Sequence, residues 1–250
     1  MIVELIARPV YDHLPERLGC AREDQLQGND ADKLIETAGR TCYDSFGKGR
    51  NSEEYAEHIL GVGHGSVLEH ATYTFFISGV SRGLTHELVR HRIGVAISQR
   101  STRYVDETET PWVMHPLLRE FLPDDFYNFR IRPAIVQMQQ LYFDTVELLQ
   151  TQLKERGVDG LTARKQARGA ARGFLGNALM TELTWSANVR ALRNMIEQRA
   201  NPAADAEIRQ LAFRIWEIMV EELPVYFSDY TPVDCPDGLV QGLETTNRKV

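Results

Sequence analysis

Arg90-His91-Arg92 is the densest cationic triplet in the sequence. Three adjacent side chains fan over ~200° of a helix surface, so they cannot all serve one small ligand. They suit two neighbouring anions, or one ligand held across a subunit boundary. Closing the C-terminal end of a helix, where the dipole favours cations, is the structural alternative. Just downstream, Gln99-Arg100-Ser101-Thr102-Arg103-Tyr104 places two guanidinium groups, two aliphatic hydroxyls and an amide together. That set makes a phosphate cradle, and Tyr104 can stack on a planar ring; polar alternation on an exposed strand gives the same pattern. His64, Ser66, Glu69 and His70 resemble a metal set, but the spacing is wrong for H-E-x-x-H and no nearby Cys or Asp completes a site. The expectation there is no metal, and a hydrogen-bonding loop.

The segment 188–199 reads as a helix. At about 100° per residue, Arg199 falls on the stripe of Leu192 and Met195, whereas Arg190 and Asn194 face the other way. A guanidinium on a core-facing stripe needs an anion or several acceptors, which a ligand or a buried Glu can supply. Two basic islands stand out in a chain of net charge −7. Residues 80–104 carry five Arg against Glu87, and residues 159–172 carry Arg164, Lys165, Arg168 and Arg172 against Asp159. The remainder is strongly acidic. This is unlike the broad basic face of a general nucleic-acid binder and fits sites for small anions, where Arg gives bidentate contacts. Surface pairing with acids is the competing reading.

These residues need a scaffold. A chain of 250 residues, 43% hydrophobic and 25% charged, folds without disulfides or a structural metal. Cys20, Cys42 and Cys235 are widely spaced and match a reducing compartment. No apolar run approaches the ~20 residues a bilayer requires, and the first ten residues lack a basic leader start, so a cytoplasmic protein without membrane contact is expected. Strands are expected over 2–11, 70–77 and 179–185, with residues 96–105 extended at their end. Helices are expected from Asp30 with Leu34, Ile35, Ala38 and Cys42 inward, at 53–60 behind an Asn51-Ser52 cap, and over 80–92 with Leu84, Leu88 and His91 on one face. Further helices are expected from Pro133 to about Arg156 with Met138, Leu141, Tyr142, Leu149 and Leu153 inward, from a Thr162 cap through Arg164, Arg168 and Arg172, and over 205–223. Pro111, Pro116 and Pro123 mark a loop, and residues 104–130 read as an insertion or loop within a single domain. There is neither a regular βαβ cadence nor a Gly-rich phosphate loop. The expected fold is α+β, a small, mostly antiparallel sheet packed with long helices.

Taken in order, the stretches G-H-G-S-V-L-E-H (63–70), S-R-G-L-T-H-E-L-V-R-H-R (81–92), S-Q-R-S-T-R-Y (98–104) and T-W-S-A-N-V-R-A-L-R-N-M-I-E-Q-R (184–199) resemble the flavin-dependent thymidylate synthases. The parallel covers most of residues 30–225. That family's pattern places seven residues between R-H-R and the serine, whereas Ile93 to Arg100 is eight, so one residue is inserted in the turn 93–97. Glu87 stands where many relatives carry Gln, and Gln99 where many carry Glu, a pair consistent with a compensating swap.

The resemblance implies reductive methylation of dUMP to dTMP, with methylenetetrahydrofolate as carbon donor, NADPH as reductant and FAD as hydride relay. It implies a homotetramer with sites at subunit interfaces. By position it assigns His64, Ser66, Glu69, Arg90, His91, Arg92, Ile93, Gln99, Asn188, Val189, Arg190 and Asn194 to the flavin. It assigns Glu87, Leu88, Val89, Arg90, Gln99, Arg100, Ser101, Thr102, Arg103, Arg172 and Arg199 to dUMP, with Arg199 as the catalytic residue polarising uracil at N3. His64 and Tyr104 fall to the folate. A hydride delivered from flavin needs no enzyme thiolate, which agrees with cysteines lying outside both islands. The rivals are another nucleotide-dependent flavoprotein on the same scaffold and a non-catalytic nucleotide- or RNA-binding module.

Overall fold

The computed structural model describes residues 1–18 and 25–248. Cys20 lies outside the described residues. Strand β1 (Ile2–Ala7) is followed by helices α1 (Asp30–Tyr43) and α2 (Ser52–Val62), then β2 (Thr72–Ser81), α3 (Arg82–Leu88) and β3 (Val95–Gln99). Two short helices, α4 (Pro116–Phe121) and α5 (Asp124–Phe126), precede the long α6 (Arg132–Glu155) and α7 (Gly160–Ala171). The chain continues through β4 (Met180–Asn188), α8 (Val189–Arg199), α9 (Ala206–Glu222), β5 (Tyr230–Val233) and β6 (Gly242–Thr245). The main sheet has the order β1-β2-β4-β3 and is antiparallel, and β5 and β6 form a separate antiparallel pair. This is the expected α+β class. The chain divides into two compact units, Met1–Ile77 with Glu87–Ile97 and Thr184–Val250, and Ser78–His86 with Ser98–Leu183.

In the first unit, Asn29 caps α1 through a capping box with Asp32. Ile35 is buried as its spacing predicts and Leu34 and Ala38 are half-buried, but the most buried face is rotated away from Cys42. Ala31, Ile35, Glu36, Gly39 and Arg40 are buried, whereas Cys42 is exposed. The cause is polar. Arg40 donates to Glu36 at 2.6 Å, binds the carbonyls of Ser45, Lys48 and Arg50, and lies over the Tyr55 ring. A buried pair, joined through one Glu36 oxygen while the other has no hydrogen-bond partner, therefore overrides the apolar count. Helix α2 has the predicted Asn51 cap and ends at Gly63. Tyr73, Phe75 and Ile77 alternate inward along β2, with Trp185 against Phe75. On α9, Ile208, Leu211, Ala212, Ile215 and Met219 are all fully buried, each large side chain contributing about 1.5–3 kcal/mol.

The second unit is built on α6 and α7. Ala163, Ala167 and Ala171 form a small-residue stripe, and Ala167 and Ala171 pack with Tyr142 and Val146 of α6. Asp159, not Thr162, caps α7, its carboxylate accepting from the Leu161 and Thr162 amides. Asp159 stands one turn earlier with an extended backbone, the geometry a cap needs. On α6 only Tyr142 and Val146 are buried, and the expected stripe member Leu141 is 47% exposed.

Three further departures shape the candidate site. The strand β2 runs on through Ser81, so α3 is shorter than the predicted 80–92 helix and the arginine triplet follows in a turn. Residues 96–105 are extended at their start, in β3, because the amides of Tyr104 and Val105 fold back onto the Ser101 carbonyl. The segment 104–130 contains α4 and α5, and Trp112 makes a β-bridge with Leu179.

Candidate active site

In the first unit, a cleft of about 740 Å³ is lined by Arg90, His91, Arg92, Ile93, Asn194 and Arg199, among others. Its floor is α8, which Asn188 caps by accepting from the Ala191 amide. Its wall is the turn after α3, closed by Gly94 at φ +71. The Asn188 side chain sits 2.5 Å from where a Cβ on Gly94 would stand, so glycine is needed both for the conformation and for the approach. In this turn the Ile93 side chain is 87% exposed.

Arg199, the last residue of α8, is held by two partners. Its Nη1 donates to Glu87 Oε2 at 2.6 Å and its Nε donates to His91 Nε2 at 2.9 Å, with Nη2 near the Glu87 carbonyl. The alternative of an arginine paired with a glutamate is therefore realised, but on the cleft wall, with 17% of the Arg199 side chain exposed. His91 accepts as a neutral imidazole. Burial lowers its pKa first, the charges of Arg199 and Arg90 lower it further, and a hydrogen bond with Asn194 opposes them. Arg90 and Arg92 are exposed and make no ion pair with a described carboxylate, so two guanidinium groups face the cleft unneutralised.

The sign of the His91 shift makes a prediction. The unfolded chain takes up this proton near pH 6.5, while the folded chain resists it. Stability from a neutral His91 is therefore lost as pH falls below about 6.5. His91→Gln, which keeps an acceptor, is expected to be less stable than the parent at pH 7.5, with the gap narrowing by pH 5.5. Urea unfolding at the two pH values measures it, and a gap that stays constant would show His91 to titrate normally.

The other residues assigned to this unit are spread more widely. His64 begins a 3-10 turn over Gly65–His70 and stacks on Tyr43, with centroids 5.7 Å apart at 9°. Nothing in the sequence signals Tyr43, because the stack joins the end of α1 to the turn after α2. Ser66 is exposed, and Glu69 accepts from Arg190 at 2.5 Å. The H-G-S-x-x-E-H run thus separates into different partnerships. Leu88 and Val189 are completely buried, so any contact from them comes through the backbone, and Val89 is partly exposed.

The second unit carries the other basic groups. Gln99 donates to the hydroxyls of Thr85 and Thr181, whereas Glu87 bonds to Arg199. Glu87 and Gln99 thus have separate partners. The Arg100 guanidinium lies 3.5 Å from buried Glu107 and 3.8 Å from Glu182. Thr102 is buried and accepts from Arg172 at 3.5 Å. Ser101 and Arg103 lie in the turn after β3, and Arg103 is exposed without an ion pair to a described carboxylate.

The predicted ladder of Arg164, Arg168 and Arg172 breaks up, because it lies one residue beyond the buried alanine stripe. Arg168 is spent on Asp106 and the Tyr104 carbonyl, and Arg172 stands in the turn after α7. Arg82, given no role from sequence, belongs to this group. Burial lowers its pKa, Glu107 opposes that, and nearby Arg172 adds to it. Tyr104 is exposed with Lys165 over its ring at 4.7 Å, and the hydrogen bond and charge of that lysine lower the phenol pKa.

Clustered guanidinium groups on an α+β scaffold, one of them held beside a neutral imidazole, have the chemistry suited to phosphorylated or carboxylated small molecules. Comparison with known proteins is more specific. The family described as thymidylate synthase complementing protein matches residues 25–225, and the chain belongs to it. A flavin-dependent thymidylate synthase of Corynebacterium aurimucosum is 37% identical over 241 residues, 94% of this chain and 93% of the relative. One from Mycolicibacterium vanbaalenii is 39% identical over 246 residues, covering 94% and 92%, and one from Mycobacterium marinum is 40% identical over 212 residues, 82% of each.

Proposed function

We propose that this enzyme is a flavin-dependent thymidylate synthase, making dTMP from dUMP with methylenetetrahydrofolate as carbon donor and NADPH as reductant. The observation that carries the reading is Arg199, held by Glu87 and neutral His91 at the wall of a cationic cleft in a member of this family. Arg199 meets the uracil at N3, where its charge favours an electron-rich, deprotonated base. Glu87 and His91 hold the guanidinium in one orientation before substrate arrives, so less freedom is lost on binding. Arg103 and Arg172, with the Ser101 and Thr102 hydroxyls and Arg100, take the phosphate.

The polar groups lining the cleft fit FAD, with Arg90 and Arg92 for its diphosphate and Asn194 beside them; Asn188 and Arg190 on α8 and His64, Ser66 and Glu69 would extend the site beyond that lining. Bound there, FAD supplies the hydride that converts the transferred methylene into a methyl group. His64 and Tyr104 face the folate. The chain acts as one domain within a homotetramer in the cytoplasm, without nucleic-acid or membrane partners. Exposed Phe121, Phe129 and Leu148 support burial against other subunits. No helix among the described residues is long and apolar enough to cross a membrane.

The test is tritium release from C5-labelled dUMP under anaerobic conditions, using purified yellow protein with each substrate omitted in turn. Release that needs both folate and reduced flavin is expected, and a colourless protein or NADPH oxidation indifferent to dUMP would overturn the reading. Arg90→Ala is expected to lose flavin first, its flavin-to-protein absorbance ratio falling severalfold. An unchanged ratio would move Arg90 to the nucleotide or to a structural role.

A further inference from the structure

Helix α8 ends at Arg199, and the backbone just beyond is pinned by a part of the chain to which no function has been given. The Ala200 carbonyl accepts from the Leu243 amide at 2.8 Å. Gly242 lies directly against it: a Cβ there would stand 2.9 Å from that carbonyl, 3.0 Å from Pro202 Cγ and 3.1 Å from Cys235 Sγ. Further back on α8, Arg193 is 1% exposed and reaches into the same region. It donates two parallel hydrogen bonds of 2.8 Å to Asp229 and others to the carbonyls of Tyr226 and Asn247. Thr245 and Asn247 donate to the same Asp229 carboxylate, and the Tyr230 hydroxyl donates to the Arg193 carbonyl. From α9, Arg209 binds the Pro202 and Ala204 carbonyls of the loop after α8 and pairs with Asp237. The family match stops at residue 225, before β5 and β6 begin.

We infer that the β5–β6 hairpin is a positioning element for Arg199, setting where the last turn of α8 places its guanidinium relative to Glu87 and His91. The final carbonyls of a helix lack internal partners, so its last turn frays unless something satisfies them. Arg199 belongs to that turn, yet must keep hydrogen bonds of 2.6 and 2.9 Å to groups on another segment. The Leu243 amide and the packed Gly242 edge fix the following residue, while Arg193 locks the helix from inside. Position at this end of α8 is thus decided by the hairpin. The inference rests on Arg199 being the residue that meets the pyrimidine, but its geometric half can be read without substrate.

Gly242→Ala in the full-length protein is the test. The added methyl must move the 200–202 backbone by a few tenths of an ångström. The expected result is a loss of about tenfold in kcat/KM for dUMP, the KM for dUMP rising, with flavin content unchanged. The His91 titration, followed by NMR without substrate, is expected to move up towards an ordinary histidine as Arg199 withdraws. Leu26→Ala, which hollows the separate cluster of Leu14, Leu26 and Phe46, is the control for general destabilisation. It should lower Tm and leave both the KM and the His91 titration alone. Parent-like KM and titration in Gly242→Ala would overturn the inference, as would equal shifts in the control. If the parent shows no dUMP-dependent turnover, the functional reading fails, and the His91 titration alone decides the positioning. Should Gly242→Ala not fold, Thr245→Val, which removes one donor to Asp229, is read by the same measurements.

Discussion

Arg199→Ala should abolish dTMP formation, lowering kcat/KM for dUMP by about 10³-fold, while the purified protein stays yellow. The two halves of that result follow from different facts. Turnover is lost because the guanidinium is the cation assigned to the pyrimidine, and a charged donor aimed at developing charge in a desolvated site is worth several kcal/mol. Flavin should be retained because Arg90, Arg92, Asn188 and Asn194, the residues proposed to hold it, are untouched. Removing Arg199 strips Glu87 and His91 of a shared donor, but Glu87 is a third exposed and water can replace it, so the fold should survive. Arg199→Lys should rescue poorly, since one ammonium cannot reproduce separate bonds from Nε and Nη1. Steady-state kinetics and the flavin absorbance band measure both halves. Near-normal turnover in Arg199→Ala would remove the residue from the chemistry.

Arg193→Met should have the largest effect on stability, about 3–5 kcal/mol at neutral pH. Asp229 would remain in place without its cation. In the parent, burial pushes the Asp229 pKa up, but hydrogen bonds from Arg193, Thr245 and Asn247 and the arginine charge bring it below the ordinary range. That contribution is present above the unfolded value, about 3.9, and is lost as pH falls through the lower folded value. In the variant the sign reverses. An unpaired, partly buried carboxylate has a raised pKa, so its penalty is felt at neutral pH and relieved as acid protonates it. Urea unfolding should therefore show the gap between parent and variant shrinking from pH 7 to pH 4.5. Arg193→Met combined with Asp229→Leu should recover much of the loss, because the cost lies in the orphaned charge. A single variant within 1 kcal/mol of the parent would show the pair to be dispensable.

Much of this molecule is legible in local sequence. Asn51 and Asp205 cap the helices they precede, Gly63 ends α2 in a left-handed conformation, and the α9 stripe of Ile208, Leu211, Ala212, Ile215 and Met219 is inward as its spacing requires. These features depend on neighbours within a turn or two, where backbone geometry alone sets the pattern. The concentration of positive charge at 90–92 and 98–104 is legible in the same way, since it follows from residue type alone.

What only the tertiary structure decided concerns partners distant along the chain. Arg193 and Arg199 share a helix and a residue type. One is buried against Asp229, 36 positions away, and the other stands at a cleft beside Glu87, 112 positions away. The spacing along α8 singled out Arg199 but gave no role to Arg193, because a helical wheel does not show what packs against it. The inward turn of Glu36 and Arg40 escaped for the same reason, since it depends on carbonyls of a loop that the helix itself holds. So did the hairpin behind Gly242, whose short strands carry little periodic signal. Residue type and spacing determined which chemistry the chain can perform, and long-range packing decided which of its charges are available to perform it.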